Sequence, residues 1–110
     1  MTEHFNQLSE AEVERLAILV EECSEVQKVA CKILRHGYDS HNPDKPEAEP
    51  NRAALAREIG DLMHAVNRML DARDVDGIAV AQHSRRKAEQ IATWLHHQDG
   101  AGAYGQGGGR

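Results

Sequence analysis

The sequence has few of the residues that mark several common protein classes. Aromatic residues make up only 4% of the 110 residues, and there are two cysteines and three prolines. No apolar run approaches the roughly 18 residues that suggest a membrane span. Acidic residues outnumber Lys and Arg by 18 to 13, which gives a formal charge of −5. Because non-specific nucleic-acid binding needs an excess of basic residues, we expect neither a nucleic-acid nor a membrane partner.

The two cysteines and the N-terminus indicate the compartment. Cys23 and Cys31 lie in one predicted helix, which places their α-carbons about 12 Å apart, too far for a disulfide. No cluster of Cys and His residues has zinc-site spacing. The N-terminal residues are polar and acidic, whereas a signal peptide is basic and then apolar. We expect reduced thiols that act as small apolar side chains, and a cytoplasmic protein.

The first predicted helix has clear limits. Ser9 followed by Glu12 fits a capping box, and Gly37 suits a C-terminal cap, so a helix of about seven turns is predicted up to His36. The stretch from Gly37 to Pro50 holds all three prolines and has no apolar periodicity. It is predicted to be a surface loop.

Two further helices follow this loop. Asn51 is predicted to cap a second helix over residues 52–70, and Asp74 or Asp76 to start a third from about Gly77 to His97. No alternating strand pattern is present, so the predicted fold class is all-α, with three main helices in one domain over residues 1–98. Residues 99–110 contain six glycines and are predicted to form a disordered tail.

Each of the first two helices has an acid within its apolar face and a second acid three residues later. On the first helix Glu22 projects among apolar residues and Glu25 lies at the margin of that face. On the second helix Glu58 and Asp61 repeat the arrangement. Since residues three apart share a helix face, each pair can converge on one point.

Four carboxylates gathered between two helices would repel one another unless a cation compensated them. Hard oxygen ligands select Mg²⁺ or Mn²⁺, and Mg²⁺ often takes further ligands from substrate phosphates. The competing interpretation is an ordinary charged surface, in which the acids pair with Lys32, Arg57 or Arg68. The repetition of the pattern on two helices favours the cation.

The segments ERLAILVEECSEVQKVACKILRHG and REIGDLMHAVNRML resemble the MazG-like superfamily of all-α nucleoside triphosphate pyrophosphohydrolases. The resemblance covers roughly residues 14–95 and includes an EExxE motif followed by ExxD. It implies Mg²⁺ as cofactor, with Mn²⁺ as a substitute, and the metal ligands Glu22, Glu25, Glu58 and Asp61. The outward projection of Glu21 suits a base beside the metal, so Glu21 and Glu22 are the predicted catalytic residues. The resemblance also implies a homodimer or homotetramer with the nucleotide pocket near the subunit interface.

Four residues are candidates for substrate binding. Lys32 and Arg35 extend the acidic row of the first helix by about two and three turns, although a solvated basic face at a helix C-terminus would look the same. Lys87 borders the apolar arc of the third helix and is positioned to reach a phosphate. Trp94 is predicted either to stack on a base or to fill a core or interface position.

The function predicted from these residues is Mg²⁺-dependent hydrolysis of a nucleoside triphosphate to the monophosphate and pyrophosphate. The expected role is nucleotide pool cleaning. Three alternatives stay open. One is a phosphoribosyl-ATP pyrophosphohydrolase, a sister fold with similarly spaced acids. A second uses the same chemistry to lower an alarmone. The third is a non-catalytic helical module that binds a partner helix.

Overall fold

The computed structural model describes residues 5–98 and contains three α-helices. They are α1 (Glu10–His36), α2 (Asn51–Asp71) and α3 (Gly77–Ile91). No strand occurs in this part of the chain, which confirms the predicted all-α class. The predicted glycine-rich tail, residues 99–110, lies outside the described residues.

Helix α1 begins and ends as its sequence predicts. The Ser9 hydroxyl accepts a hydrogen bond from the Glu12 backbone N–H at 3.1 Å, and the Ser9 N–H donates to Glu12 Oε1 at 2.8 Å. Gly37 follows the last turn with a φ of +93°, and its N–H donates to the Ile33 carbonyl. A capping box and a glycine therefore fix the length of the helix.

The start of α2 differs from the prediction. Asn51 is the first helical residue and not the cap, and its side-chain amide donates to the Gly37 carbonyl at 3.1 Å. The backbone N–H groups of Asn51 and Arg52 donate to the carbonyls of Ser40 and Tyr38. Because carbonyls of the loop satisfy these N–H groups, no side-chain cap is needed. The prediction of Asn51 as a capping residue was wrong.

Helix α3 begins at one of the two predicted aspartates. Asp76 Oδ1 accepts from the Ile78 backbone N–H at 3.1 Å, which makes Asp76 the N-cap. The other candidate, Asp74, instead binds the guanidinium of Arg15. The sequence did not distinguish the two aspartates as caps, because both lie within the last few residues before the helix.

The end of α3 falls six residues before the predicted His97, at Ile91. The Thr93 hydroxyl donates to the Gln90 carbonyl at 2.9 Å, and the chain continues in a turn. A hydroxyl that bonds a nearby backbone carbonyl competes with the regular helical pattern. Trp94 therefore lies in the turn after α3 and not on the helix.

The chain divides into two compact units, one ending at Val75 and the other beginning at Asp76. In the first unit α1 packs against α2 around Val29, Ala65 and Met69. Large apolar side chains remain outside this small core, including Val20 and Leu34 of α1. Leu34 is 86% exposed although its position follows the apolar periodicity of α1. None of the described helices has both the length and the apolarity of a bilayer span.

The cysteines do not pack as small apolar side chains. Cys23 and Cys31 are both free thiols, as predicted, but both side chains are exposed on α1. Neither belongs to the buried core of the first unit, which consists of Val29, Ala65 and Met69.

Candidate metal centre

Three of the four predicted metal ligands meet between α1 and α2. Glu22 of α1 and Glu58 and Asp61 of α2 each place a carboxylate oxygen within 4.8 Å of the others. We call these three residues the carboxylate cluster. Glu58 is buried, with 7% of the residue exposed, whereas Glu22 is half-buried and Asp61 is exposed. The cluster is thus open to solvent on the side of Asp61.

The helical repeat explains why the cluster forms. Glu58 and Asp61 are three residues apart, so they lie on the same face of α2, one turn from each other. Ala65, one turn beyond Asp61, is buried in the core of the unit. The face of α2 that carries the acids is therefore the face that packs on α1, and this packing brings Glu22 to them.

The electrostatics of Glu22 show an uncompensated negative charge. Its pKa is raised above the ordinary glutamate value, first because burial disfavours the charged form and then because Asp61, Glu21, Glu58 and Glu25 repel that charge. A divalent cation would relieve both effects. The donor set, carboxylate oxygens alone, is the one that Mg²⁺ and Mn²⁺ prefer.

Glu58 is partly compensated by its neighbour. Arg57 Nη1 donates to Glu58 Oε2 at 2.9 Å, and Arg57 Nη2 donates to Glu49 Oε2 at 2.5 Å. Glu49 belongs to the loop before α2. The pKa of Arg57 is raised, mainly by its hydrogen bond to Glu49. Arg57 thus connects the 37–50 loop to the buried acid of the cluster.

The remaining predicted acids lie beside the cluster. Glu25 is outside the group of three converging oxygens and lines a groove of about 300 Å³ with Glu58, Arg57, Lys28 and Lys32. We call this the connecting groove. Glu21 is exposed on α1 and, with Glu25, contributes to the raised pKa of Glu22. Both acids add to the negative charge around Glu22, and their roles as a base and a metal ligand stay predictions.

The two basic candidates of α1 line a second cavity of about 510 Å³, between the end of α1 and the 37–50 loop. Its polar lining includes His36, His41 and Asn42 as well as Lys32 and Arg35. We call it the loop pocket. Lys32 and Asn42 also line the connecting groove, so the two cavities are adjacent.

The candidates Lys87 and Trp94 belong to the second compact unit. Both line a shallow depression together with Gln90, Ile91 and Thr93. Trp94 is 76% exposed, which excludes a core position for it within its own unit. Their roles in substrate binding stay predictions.

The sequence did not predict that His36, His41 and Asn42 line a cavity. These residues have no helical periodicity, because they lie at the end of α1 and in the loop that follows it. A signal was nevertheless present. Lys32, Arg35, His36 and His41 fall within ten positions, and such a run of basic residues indicates local positive charge in an acidic chain.

Comparison of the chain with protein-family models, curated proteins and solved structures finds no match.

Proposed function

We propose that this chain is a Mg²⁺-dependent nucleoside triphosphate pyrophosphohydrolase that converts a ribo- or deoxyribonucleoside triphosphate and water to the monophosphate and pyrophosphate. The observation that carries the proposal is the convergence of Glu22, Glu58 and Asp61 from two helices within 4.8 Å. The raised pKa of Glu22 supports it, because this side chain lacks a compensating charge. The resemblance to the MazG-like superfamily supplies the reaction type.

Each acid of the cluster and its neighbours has a proposed role in the reaction. Glu22, Glu58 and Asp61, with Glu25 beside them, would hold Mg²⁺ or Mn²⁺, which supplies neutralisation of phosphate oxygens and a more acidic water. Arg57 fixes the position of Glu58. The exposed carboxylate of Glu21 accepts the proton of the attacking water as general base. The oxygen of that water bonds to the α-phosphorus while the bond from the α-phosphorus to the α–β bridging oxygen breaks. Pyrophosphate leaves with the bridging oxygen.

Lys32 and Arg35 are proposed to bind phosphate oxygens of the substrate. They line the loop pocket, and Lys32 also lines the adjacent groove beside Glu58. Lysine binds phosphate as a point charge, whereas arginine binds it through a planar fork of donors. Substitution of either residue is expected to raise KM for the triphosphate more than it lowers kcat.

A homodimer or homotetramer is proposed as the assembled state. The first unit leaves apolar side chains uncovered, with Val20 68% and Met63 59% exposed. Association with a second copy would remove this apolar surface from water, which is favourable in proportion to the area buried. The core of the unit alone is small, so association would also add to its stability.

The experiment is pyrophosphate release from a panel of canonical and modified triphosphates, with Mg²⁺, Mn²⁺ or EDTA. The protein is compared with Glu58→Gln and with Glu14→Gln, an exposed acid of α1 that lies outside the cluster. We expect Glu58→Gln to lower turnover by more than about 100-fold, since loss of even a partner of a metal ligand costs about 10–100-fold. Glu14→Gln should retain activity. Turnover that persists in EDTA or in Glu58→Gln would contradict the proposal.

A second candidate is a non-catalytic module that binds a partner helix. The exposed apolar residues of α1 and α2 are the observation that favours it. Glu22→Gln distinguishes the two candidates. An enzyme would lose turnover and cation affinity, whereas a binding module would keep its partner affinity in the variant, with and without Mg²⁺.

A further inference from the structure

The loop pocket has a charge opposite to that of the chain. Lys32, Arg35, His36 and His41 line it, together with the amides of Asn42 and Asn51. None of its lining residues, all of which are described, is an aspartate or glutamate. The whole chain has a formal charge of −5, so this concentration of basic side chains is local.

These basic side chains have no partner within residues 5–98. None of the four makes a salt bridge there, and none donates a side-chain hydrogen bond to a carbonyl. Basic residues at a helix C-terminus can instead serve that helix, by bonding its last carbonyls. Since no such bond is present, their donors remain available to a ligand.

Two of the four acids of the same loop pair with arginines of α2. Asp39 binds Arg52 at 3.3 Å, and Glu49 binds Arg57 at 2.5 Å. The other two, Asp44 and Glu47, do not line the pocket. Asn51, of which only 8% is exposed, adds a buried polar residue to the pocket lining.

The pocket is separate from the carboxylate cluster. Lys32 is ten residues from Glu22 on α1, which corresponds to about 15 Å along the helix axis. The connecting groove lies beside both places, since Glu58 of the cluster and Lys32 of the pocket both line it.

We propose that the loop pocket is a phosphate-binding site distinct from the carboxylate cluster. Phosphate is the anion that fits, because it offers several acceptor oxygens to the mixed lysine, arginine and imidazole donors. The further step, that this phosphate belongs to the substrate, rests on the proposed function. It implies either that the terminal phosphates of a triphosphate bind here or that the substrate carries a second phosphate at its far end.

The test begins without divalent cations. The ¹⁵N-labelled full chain is titrated with inorganic phosphate and with pyrophosphate in EDTA, and the amide signals of His36, His41 and Asn42 are followed. We expect saturable shifts at these residues. The double variant Lys32→Gln, Arg35→Gln should weaken binding by more than about 10-fold, because each charge-assisted hydrogen bond contributes substantially. Both side chains are exposed, so the variant should keep the wild-type circular dichroism spectrum.

Two controls make the result specific. Lys45→Gln removes a lysine of the same loop that does not line the pocket, and it should bind phosphate as the wild type does. Glu58→Gln disables the cluster and should also leave phosphate binding in EDTA intact. Absent shifts, or equal losses in Lys45→Gln and the double variant, would overturn the proposal.

The two sources of phosphate are distinguished by competition. A nucleoside triphosphate and a nucleotide phosphorylated at both ends are compared as competitors of inorganic phosphate in EDTA. If the nucleoside triphosphate displaces inorganic phosphate more strongly, the pocket binds the terminal phosphates of a triphosphate. If the nucleotide phosphorylated at both ends displaces it more strongly, the pocket binds the second phosphate at the far end of the substrate. Phosphate binding without any pyrophosphohydrolase activity would reject the proposed function alone, whereas turnover without phosphate binding would reject the pocket alone.

Discussion

The guanidinium of Arg15 binds both carboxylate oxygens of Asp74, with Nε to Oδ2 at 2.6 Å and Nη2 to Oδ1 at 2.9 Å. The pair joins the first turns of α1 to the residues that follow α2, across 59 positions of the sequence. Only 12% of the Asp74 side chain is exposed. This bidentate pair therefore holds α1 and the residues after α2 together at the end of the first unit opposite the 37–50 loop.

Asp74→Asn is expected to lower the Tm by several degrees at neutral pH. The Arg15 guanidinium holds the pKa of Asp74 below its usual 3.8, chiefly through the hydrogen bond. A lowered folded-state pKa contributes stability that is present above the unfolded-state value and is lost as pH falls through the folded-state value. The difference in Tm between wild type and variant should thus be constant from pH 5 upward and shrink in more acidic solution.

Thermal unfolding monitored by circular dichroism provides this measurement. Asp39→Asn is the matched control, because its ion pair with Arg52 is exposed and longer, at 3.3 Å. Exposed pairs contribute little to stability. Equal losses in the two variants would show that the Arg15–Asp74 pair has no special structural role.

Glu22→Gln is expected to raise the Tm in EDTA and to abolish the stabilisation by Mg²⁺. The charged form of Glu22 is disfavoured by burial and by neighbouring acids, so its neutral analogue relieves repulsion within the cluster. A cation that binds only the folded state stabilises it by mass action. Differential scanning fluorimetry with and without Mg²⁺ measures both effects, with Glu14→Gln as the control. A Mg²⁺-dependent Tm shift that is the same in Glu22→Gln and wild type would be inconsistent with the cluster as the binding site.

Arg57→Gln is expected to strengthen cation binding several-fold at low ionic strength. Arg57 is a positive charge hydrogen-bonded to Glu58, so it repels a cation that approaches the cluster. Isothermal titration with Mn²⁺ measures the affinity, and added salt should reduce the difference through screening. Glu49→Gln is the comparison, because it keeps Arg57 and should show no gain. Weaker binding in Arg57→Gln would mean that this arginine acts mainly by positioning Glu58.

Met63→Glu is expected to shift the protein toward the monomer. Met63 is 59% exposed on α2, so it has no partner that covers it within the first unit. A charge placed in a buried apolar interface is strongly unfavourable. Sedimentation velocity at micromolar concentration should show a dimer or tetramer for wild type and for His64→Glu, the neighbouring exposed position. A wild-type protein that is monomeric under these conditions would contradict the proposed self-association.

The elements of the fold that the sequence predicted correctly are those set by local rules. The capping box at Ser9, the glycine after His36 and the prolines of the 37–50 loop each act through neighbouring residues. The errors at Asn51 and at the end of α3 have a common cause. In both places a hydrogen bond to a particular carbonyl decides the structure, and composition does not reveal which carbonyl is within reach.

The candidate site was predictable to the extent that it depends on helical spacing. The positions of Glu22, Glu58 and Asp61 follow from periodicity, and the structure brings these three together. The pairing of Arg57 with Glu49 was not predictable, because it depends on how an irregular loop returns to α2. The same reason kept the loop pocket hidden, since its walls come from a helix end and a loop.

The two ends of the 37–50 loop are fastened to each other independently of its middle. Three hydrogen bonds to the carbonyls of Gly37, Tyr38 and Ser40 hold the first residues of α2 against the end of α1, and Arg52 lies over the Tyr38 ring at 4.5 Å. The residues between can therefore change in length and chemistry with little effect on how α1 and α2 pack, because closing a longer loop costs little free energy. If the loop pocket binds phosphate as proposed, exchanging residues 41–48, which keeps Glu49 and its bond to Arg57, would alter ligand preference while the helices that carry the acids keep their packing.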